Sequence, residues 1–132
     1  MSELTITTSQ IQGEATVTIL HLKGHLHGAT EKLLNESAHQ AYEDGVRHLL
    51  LDLTDLEVLS SAGLRVIQNT FKRFTPPEDM ELIRKHGEEP YKSPYFKMVC
   101  PNQQIYYVLN ITGFLYNIPI YTSMDDAMKS FG

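Results

Sequence analysis

The chain has 132 residues, 42% hydrophobic and 20% charged, with a formal charge of −5 at pH 7 and a single cysteine, Cys100. That length suits one domain with a continuous core, and no stretch approaches the roughly 20 apolar residues of a membrane span. The acidic balance argues against a nucleic-acid partner. One cysteine excludes an internal disulfide, and the polar start MSELTITTSQ lacks the pattern of a signal peptide, so a cytoplasmic location is expected.

Thr-rich runs with partial alternation predict two strands, about Leu4–Ser9 and Ala15–Lys23, joined by a turn at Gln12–Glu14, with Gly24 closing the second. From Ala29 to Asp44 the spacing turns helical. Leu33, Leu34, Ser37, Ala38, Ala41 and Tyr42 share one face, and Gly45 stops the helix. His48–Leu53 is a continuous apolar run, as a central strand covered by helices requires. Two serines follow, and then Leu64, Ile67, Phe71 and Phe74 fall at helical spacing.

The stretch Thr75–Tyr95 differs in kind, with four prolines among many charges, and reads as a surface insert before the fourth strand. Within it PEDMELIRKHG has acids in its first turn, bases in its last and Gly87 at its end, the marks of a short helix. Phe96–Cys100 reads as a strand and Gln103–Ile111 as a helix closing at Gly113. Ile118–Tyr121 reads as an edge strand, where alone Pro119 is tolerable. Ser123 and Asp126 then stand at capping-box spacing at the start of a last helix. The order β-β-α-β-α-insert-β-α-β-α implies one α/β domain over residues 1–132. Its mixed sheet has parallel neighbours joined by right-handed crossovers and an antiparallel edge from the first hairpin.

Ligands of such sheets bind beyond the carboxyl ends of the strands, and those ends deliver Gly24–Gly28 and Leu59–Gly63. At the second, Ser60 and Ser61 open the helix Ala62–Phe74. One of them caps a free amide of the first turn, worth about 1 kcal/mol, and its neighbour is free to face outward. A phosphate on the outward serine would meet unpaired N–H groups and the positive helix end.

These elements resemble the STAS domain, in particular the bacterial anti-sigma factor antagonists. The resemblance rests on LKGHLHGAT for a G-x-[LI]-D-x-x-[ST/A] turn and on GVRHLLLDLTDLEVLSSAGLRVI for a strand and a D-S-[ST]-G-L helix start. NITGF and IPIYTSMDDAM match the later elements. It runs from about Thr16 to Phe131, apart from the insert. It implies a phosphorylation-controlled switch that binds an anti-sigma factor, a serine kinase, when unphosphorylated. Phosphorylation at Ser61, with Ser60 as second choice, releases that partner, and a PP2C-type phosphatase reverses the change. The partner-binding set it implies is His25, His27, Ser60, Ser61, Ala62, Gly63 and Arg65. Ser60 and His27 stand where the family carries Asp, and Ala62 where it carries Ser or Thr. A scaffold or interaction subunit of a signalling or transporter complex, without phosphorylation, is the alternative.

No cofactor, catalytic residue or metal site is expected. LSSAG is not a G-x-S-x-G elbow. His25 and His27, two apart at a strand end, lean to one face, but the sequence places no third ligand beside them, so they read as exposed turn residues. His27 in place of a carboxylate would tolerate a phosphate at Ser61. Tyr106 and Tyr107 read as core and helix surface, and Cys100 as a small buried apolar residue.

Overall fold

The computed structural model describes residues 3–85, 91–111 and 116–132. In chain order its elements are β1 (Leu4–Gln12), β2 (Thr16–Leu26), α1 (Glu31–Glu43), β3 (Leu49–Leu59) and α2 (Ser61–Arg73). There follow α3 (Pro77–Lys85), β4 (Phe96–Val99), α4 (Gln103–Ile111), β5 (Ile120–Tyr121) and α5 (Met124–Ser130). The described strands form a five-stranded sheet in sequential order. β1 and β2 are antiparallel, and β2, β3, β4 and β5 are parallel neighbours. This is the mixed α/β architecture that the alternation of elements predicts. The expected helix stops at Gly87 and Gly113 lie outside the described residues, as does most of NITGF.

Two apolar layers cover the sheet. On one face Leu20, Leu22 and Leu26 of β2, Leu49, Leu51 and Leu53 of β3, and Phe96 and Met98 of β4 pack against Leu34 of α1, Ile67 and Phe71 of α2 and Leu109 of α4. On the other, Val17, Ile19, Leu50 and Val99 meet Ala127 of α5. Burial on both faces is why β3 begins as an unbroken leucine run. Lys97, on the α5 side, is buried as well. Its Nζ donates to the carbonyl and hydroxyl of Ser130, each at 2.9 Å, and lies over the Phe131 ring. Desolvation lowers its pKa.

Several boundaries differ from expectation. β3 runs six residues past Leu53 to Leu59 by continued pairing with β2, and in that extension only Leu56 turns fully to the core, so the apolar run does not mark it. β2 does not close at Gly24 but passes through it to Leu26, with register shifts between His21 and Lys23 and between Gly24 and His25. Gly24 has φ +111°, and a side chain there would run into the Glu3 carbonyl. β5 starts at Ile120, after Pro119, whose carbonyl accepts from Met98 N at 2.9 Å. Leu33 is exposed, because the buried stripe of α1 is centred on Leu34, Ala38 and Ala41.

In the expected insert, α3 contributes no buried residue. The two ends are nevertheless anchored. The Thr75 hydroxyl donates to Phe71 O at 2.5 Å, and buried Ser93 accepts from the amides of Tyr95 and Phe96 at 3.1 and 3.0 Å. The Tyr91 hydroxyl donates to Asp79 at 2.5 Å, and Tyr91 and Ile83 rest on the core.

Gly24→Ala combines a positive φ with a backbone collision. It should destabilise the fold by about 2 kcal/mol or more, read as a lower urea midpoint at unchanged slope. An unchanged midpoint would show that the bulge relaxes without cost.

Candidate functional site at the ends of β2 and β3

β2 and β3 end level with each other, Leu26 pairing with Leu59. There is no loop between β3 and α2, as Ser60 alone separates them. Its amide donates to Leu26 O at 3.0 Å, so the strand-to-helix junction is fastened to the end of β2. The close approach requires glycine one turn later. A Cβ on Gly63 would stand 2.7 Å from Leu26 O and 2.7 Å from Leu59 Cδ1. Leu64, Val66, Ile67, Thr70 and Phe71 then bury one side of α2.

The two serines separate as their positions require. Ser60 is extended (φ −101°, ψ 177°) and half-buried, and its hydroxyl accepts from Gly63 N at 3.3 Å, the N-cap bond. Ser61 is the first helical residue and is exposed. Ala62 is half-buried, and Arg65 is exposed one turn beyond Ser61 on the same side of the helix. The first turn of α2 carries no acid, so nothing acidic within it offsets the positive helix end.

Across the junction, the turn after Leu26 is ordered by Thr30. Its hydroxyl donates to His25 O at 2.7 Å and accepts from His27 N at 3.1 Å, so it is not free to cap α1. His25 and His27 are half-buried and not simply exposed turn residues, with ring centroids 6.1 Å apart. His25 Nε2 lies 3.3 Å from Glu57 Oε2. His27 Nδ1 accepts from Ala29 N at 3.1 Å, which leaves its proton on Nε2, directed at Glu3 Oε2 2.5 Å away. Glu3, just before β1, thus places a carboxylate beside His27.

On the α5 side of the sheet a further chain of bonds crosses three strands. Thr54 donates to Asp52 Oδ1 from its hydroxyl at 2.5 Å and its amide at 3.0 Å, and His21 Nδ1 donates to Asp52 Oδ2 at 2.7 Å. His21 Nε2 is then left to accept from the Ser9 hydroxyl at 2.8 Å. This is the order of a nucleophile, base and orienting acid. Here the His21 bonds to Ser9 and Asp52 tie β1, β2 and β3 together, and Thr54 holds Asp52 from within β3. Burial raises the Asp52 pKa, but the bonds from Thr54 and His21 outweigh that and leave it below its ordinary value.

Glu3, Thr30 and Asp52 were not singled out in the sequence. Thr30 had a local signal, a short hydroxyl three residues after His27. Glu3 and Asp52 had none, because strand register alone brings them to their histidines. Cys100 is fully buried, and burial pushes its thiol up to about 11, so it is an inert core residue.

Ser60→Ala should cost about 1 kcal/mol, seen as a modest fall in melting temperature, whereas Ser61→Ala should change stability by less. Equal losses would mean that the cap is shared. A carboxyl with a lowered native pKa stabilises the fold above its unfolded value and loses that contribution as pH falls through the native one. Stability should thus decline below about pH 4, and Asp52→Asn should flatten this acid limb. An unchanged limb would place the titration elsewhere.

The family model for the STAS domain matches residues 8–78, more than half of the chain. No curated protein sequence gives a significant match. Among solved structures, an anti-sigma factor antagonist from Mycobacterium paratuberculosis superposes with TM-score 0.72 at 21% identity, covering 96% of this chain and 94% of that one. The protein TM1081, solved by NMR, gives 0.60 at 25% identity, with 86% and 79% covered. The unphosphorylated anti-sigma factor antagonist SpoIIAA gives 0.60 at 10% identity, with 95% and 94% covered. At such identities the solved structures speak for the fold, and the family match, its motifs lying at the joined ends of β2 and β3, places the chain in the STAS domain family.

Proposed function

We propose that this STAS domain is a protein-binding switch of the anti-sigma factor antagonist type, with Ser61 as the phosphorylated residue. The observation that carries this reading is the division between the two serines. Ser60 holds the cap, so the exposed Ser61 hydroxyl can be modified without taking the cap bond from the helix. A phosphate there would lie at the first-turn amides of an acid-free helix start, with Arg65 one turn away to pair with it. It would also add about −1.5 to −2 charges to the partner-facing end of the sheet.

The partner is an anti-sigma kinase that binds the unphosphorylated form over His25, His27, Ser60, Ser61, Ala62, Gly63 and Arg65. Docking covers the junction, and the added charge expels the kinase because it must be desolvated at the contact. A PP2C-type phosphatase returns the protein to its binding state, and the complex belongs in the cytoplasm of a bacterium, controlling transcription. A scaffold reading, without phosphorylation, draws on Ser60 and His27 standing where the family carries acids.

The test is capture of the partner kinase by the whole chain, followed by incubation with ATP. Ser61→Ala should keep binding and abolish phosphate uptake, and Ser61→Glu should weaken binding by tenfold or more, about 1.4 kcal/mol. Phosphate mapped to Ser60 would move the site, and a kinase that binds without phosphorylating the chain would favour the scaffold.

A further inference from the structure

We infer that Glu3, His25 and His27 form a binding site for a first-row divalent transition metal, of which Zn²⁺ is the natural probe. The inference is independent of whether Ser61 is phosphorylated. One ligand atom from each of the three residues lies within 4.8 Å of the other two. Tetrahedral zinc with bonds of about 2.0–2.1 Å sets its ligand atoms about 3.3 Å apart, so small side-chain rotations suffice. Glu3 Oε2 and His27 Nε2 are already 2.5 Å apart, and a metal would take the place of the proton that His27 directs at Glu3.

The backbone preorganises all three. Leu26 ends β2 fully buried, and its neighbours His25 and His27 bring their rings to 6.1 Å between centroids. Glu3 is brought in by register. Leu4 pairs with Gly24, and His25 N donates to Glu3 O at 2.7 Å. Gly24 is needed for that approach, since a side chain on it would occupy the place of the Glu3 carbonyl. Two imidazoles and one carboxylate suit zinc and its neighbours in the series, whereas calcium and magnesium prefer all-oxygen sites. Three protein ligands leave a fourth position for water. Glu57 Oε2 lies 3.3 Å from His25 Nε2.

Loading has a proton requirement. In the metal-free state the His27 proton is on Nε2, because Nδ1 accepts the Ala29 amide. A metal on Nε2 moves that proton to Nδ1 through solvent, so the imidazole stays neutral and the Ala29 amide loses its acceptor. The turn between β2 and α1 is still held by Thr30, whose hydroxyl donates to His25 O and accepts from His27 N. Metal binding weakens as falling pH protonates the histidines.

The experiment uses the whole chain, free of any histidine tag and stripped with a chelator. Zn²⁺ titrated calorimetrically should bind one per chain and raise the melting temperature, and Co²⁺ should give the visible absorption of a tetrahedral site. Glu3→Gln, which keeps the shape of the side chain, should weaken Zn²⁺ binding at least about tenfold, and His27→Ala by more. His39→Ala, remote in the fold, should leave it unchanged. Melting of each variant without metal checks that it folds. If Zn²⁺ does not bind, or binds equally to wild type, Glu3→Gln and His25→Ala, the site is wrong, whatever becomes of Ser61.

Discussion

The hydrogen bond from the Ser60 amide to the Leu26 carbonyl, 3.0 Å long, is the constraint on which the functional end of this protein depends. It joins the end of β2 to the first residue beyond β3, at a point where both strands have exhausted their ladder. Once it is made, α2 has to start at once, with its axis close to the end of β2. Only a residue without a side chain fits one turn into the helix, and Gly63 is there. The apolar stripe of α2 then falls on the main core without adjustment, each large buried side chain contributing about 1.5–3 kcal/mol. Geometry at the site and stability of the core are the same fact seen from two sides.

The serine pair acquires its meaning from that junction. A helix start has four amides without intrahelical acceptors, and a capping hydroxyl satisfies only one. With Ser60 extended and committed to Gly63, the exposed Ser61 lies over amides that remain available, in a first turn without a competing carboxylate. Two of the other helices show the contrast, although α4, like α2, has an acid-free first turn. α3 and α5 begin with two acids each, which fill the positive end by themselves. An anion is better accommodated at the start of α2 because no carboxylate in its first turn takes that place.

The two faces of the sheet do different work. The α1–α2–α4 face is a leucine-rich core. The α5 face is apolar only towards one end, and beyond it the strands are fastened by Ser9, His21, Asp52 and Thr54. Along β2 and one residue past its end, His21, His25 and His27 each meet a carboxylate, Asp52 and Glu57 from β3 and Glu3 from just before β1. β2 lies between β1 and β3, so its outward polar residues can be matched only from those sides, and the acidic balance of the chain supplies the partners.

Much of this was legible in the sequence because it is set by local rules. Alternation and apolar runs marked the strands, helical spacing marked α2 and α4, and Ser60 and Ser123 announced themselves as caps, each bonding the amide three residues on. The motif around Leu49–Val66 carried the family. Tertiary structure decided what depends on register and depth. It carried β3 to Leu59 by pairing with a bulged β2, a shift that composition cannot show. It also turned Leu33 to solvent and anchored both ends of the segment after α2. Above all it brought Glu3 to His25 and His27, more than twenty positions away. Sequence fixes what lies along one strand, whereas the antiparallel register of β1 on β2 fixes what lies across it.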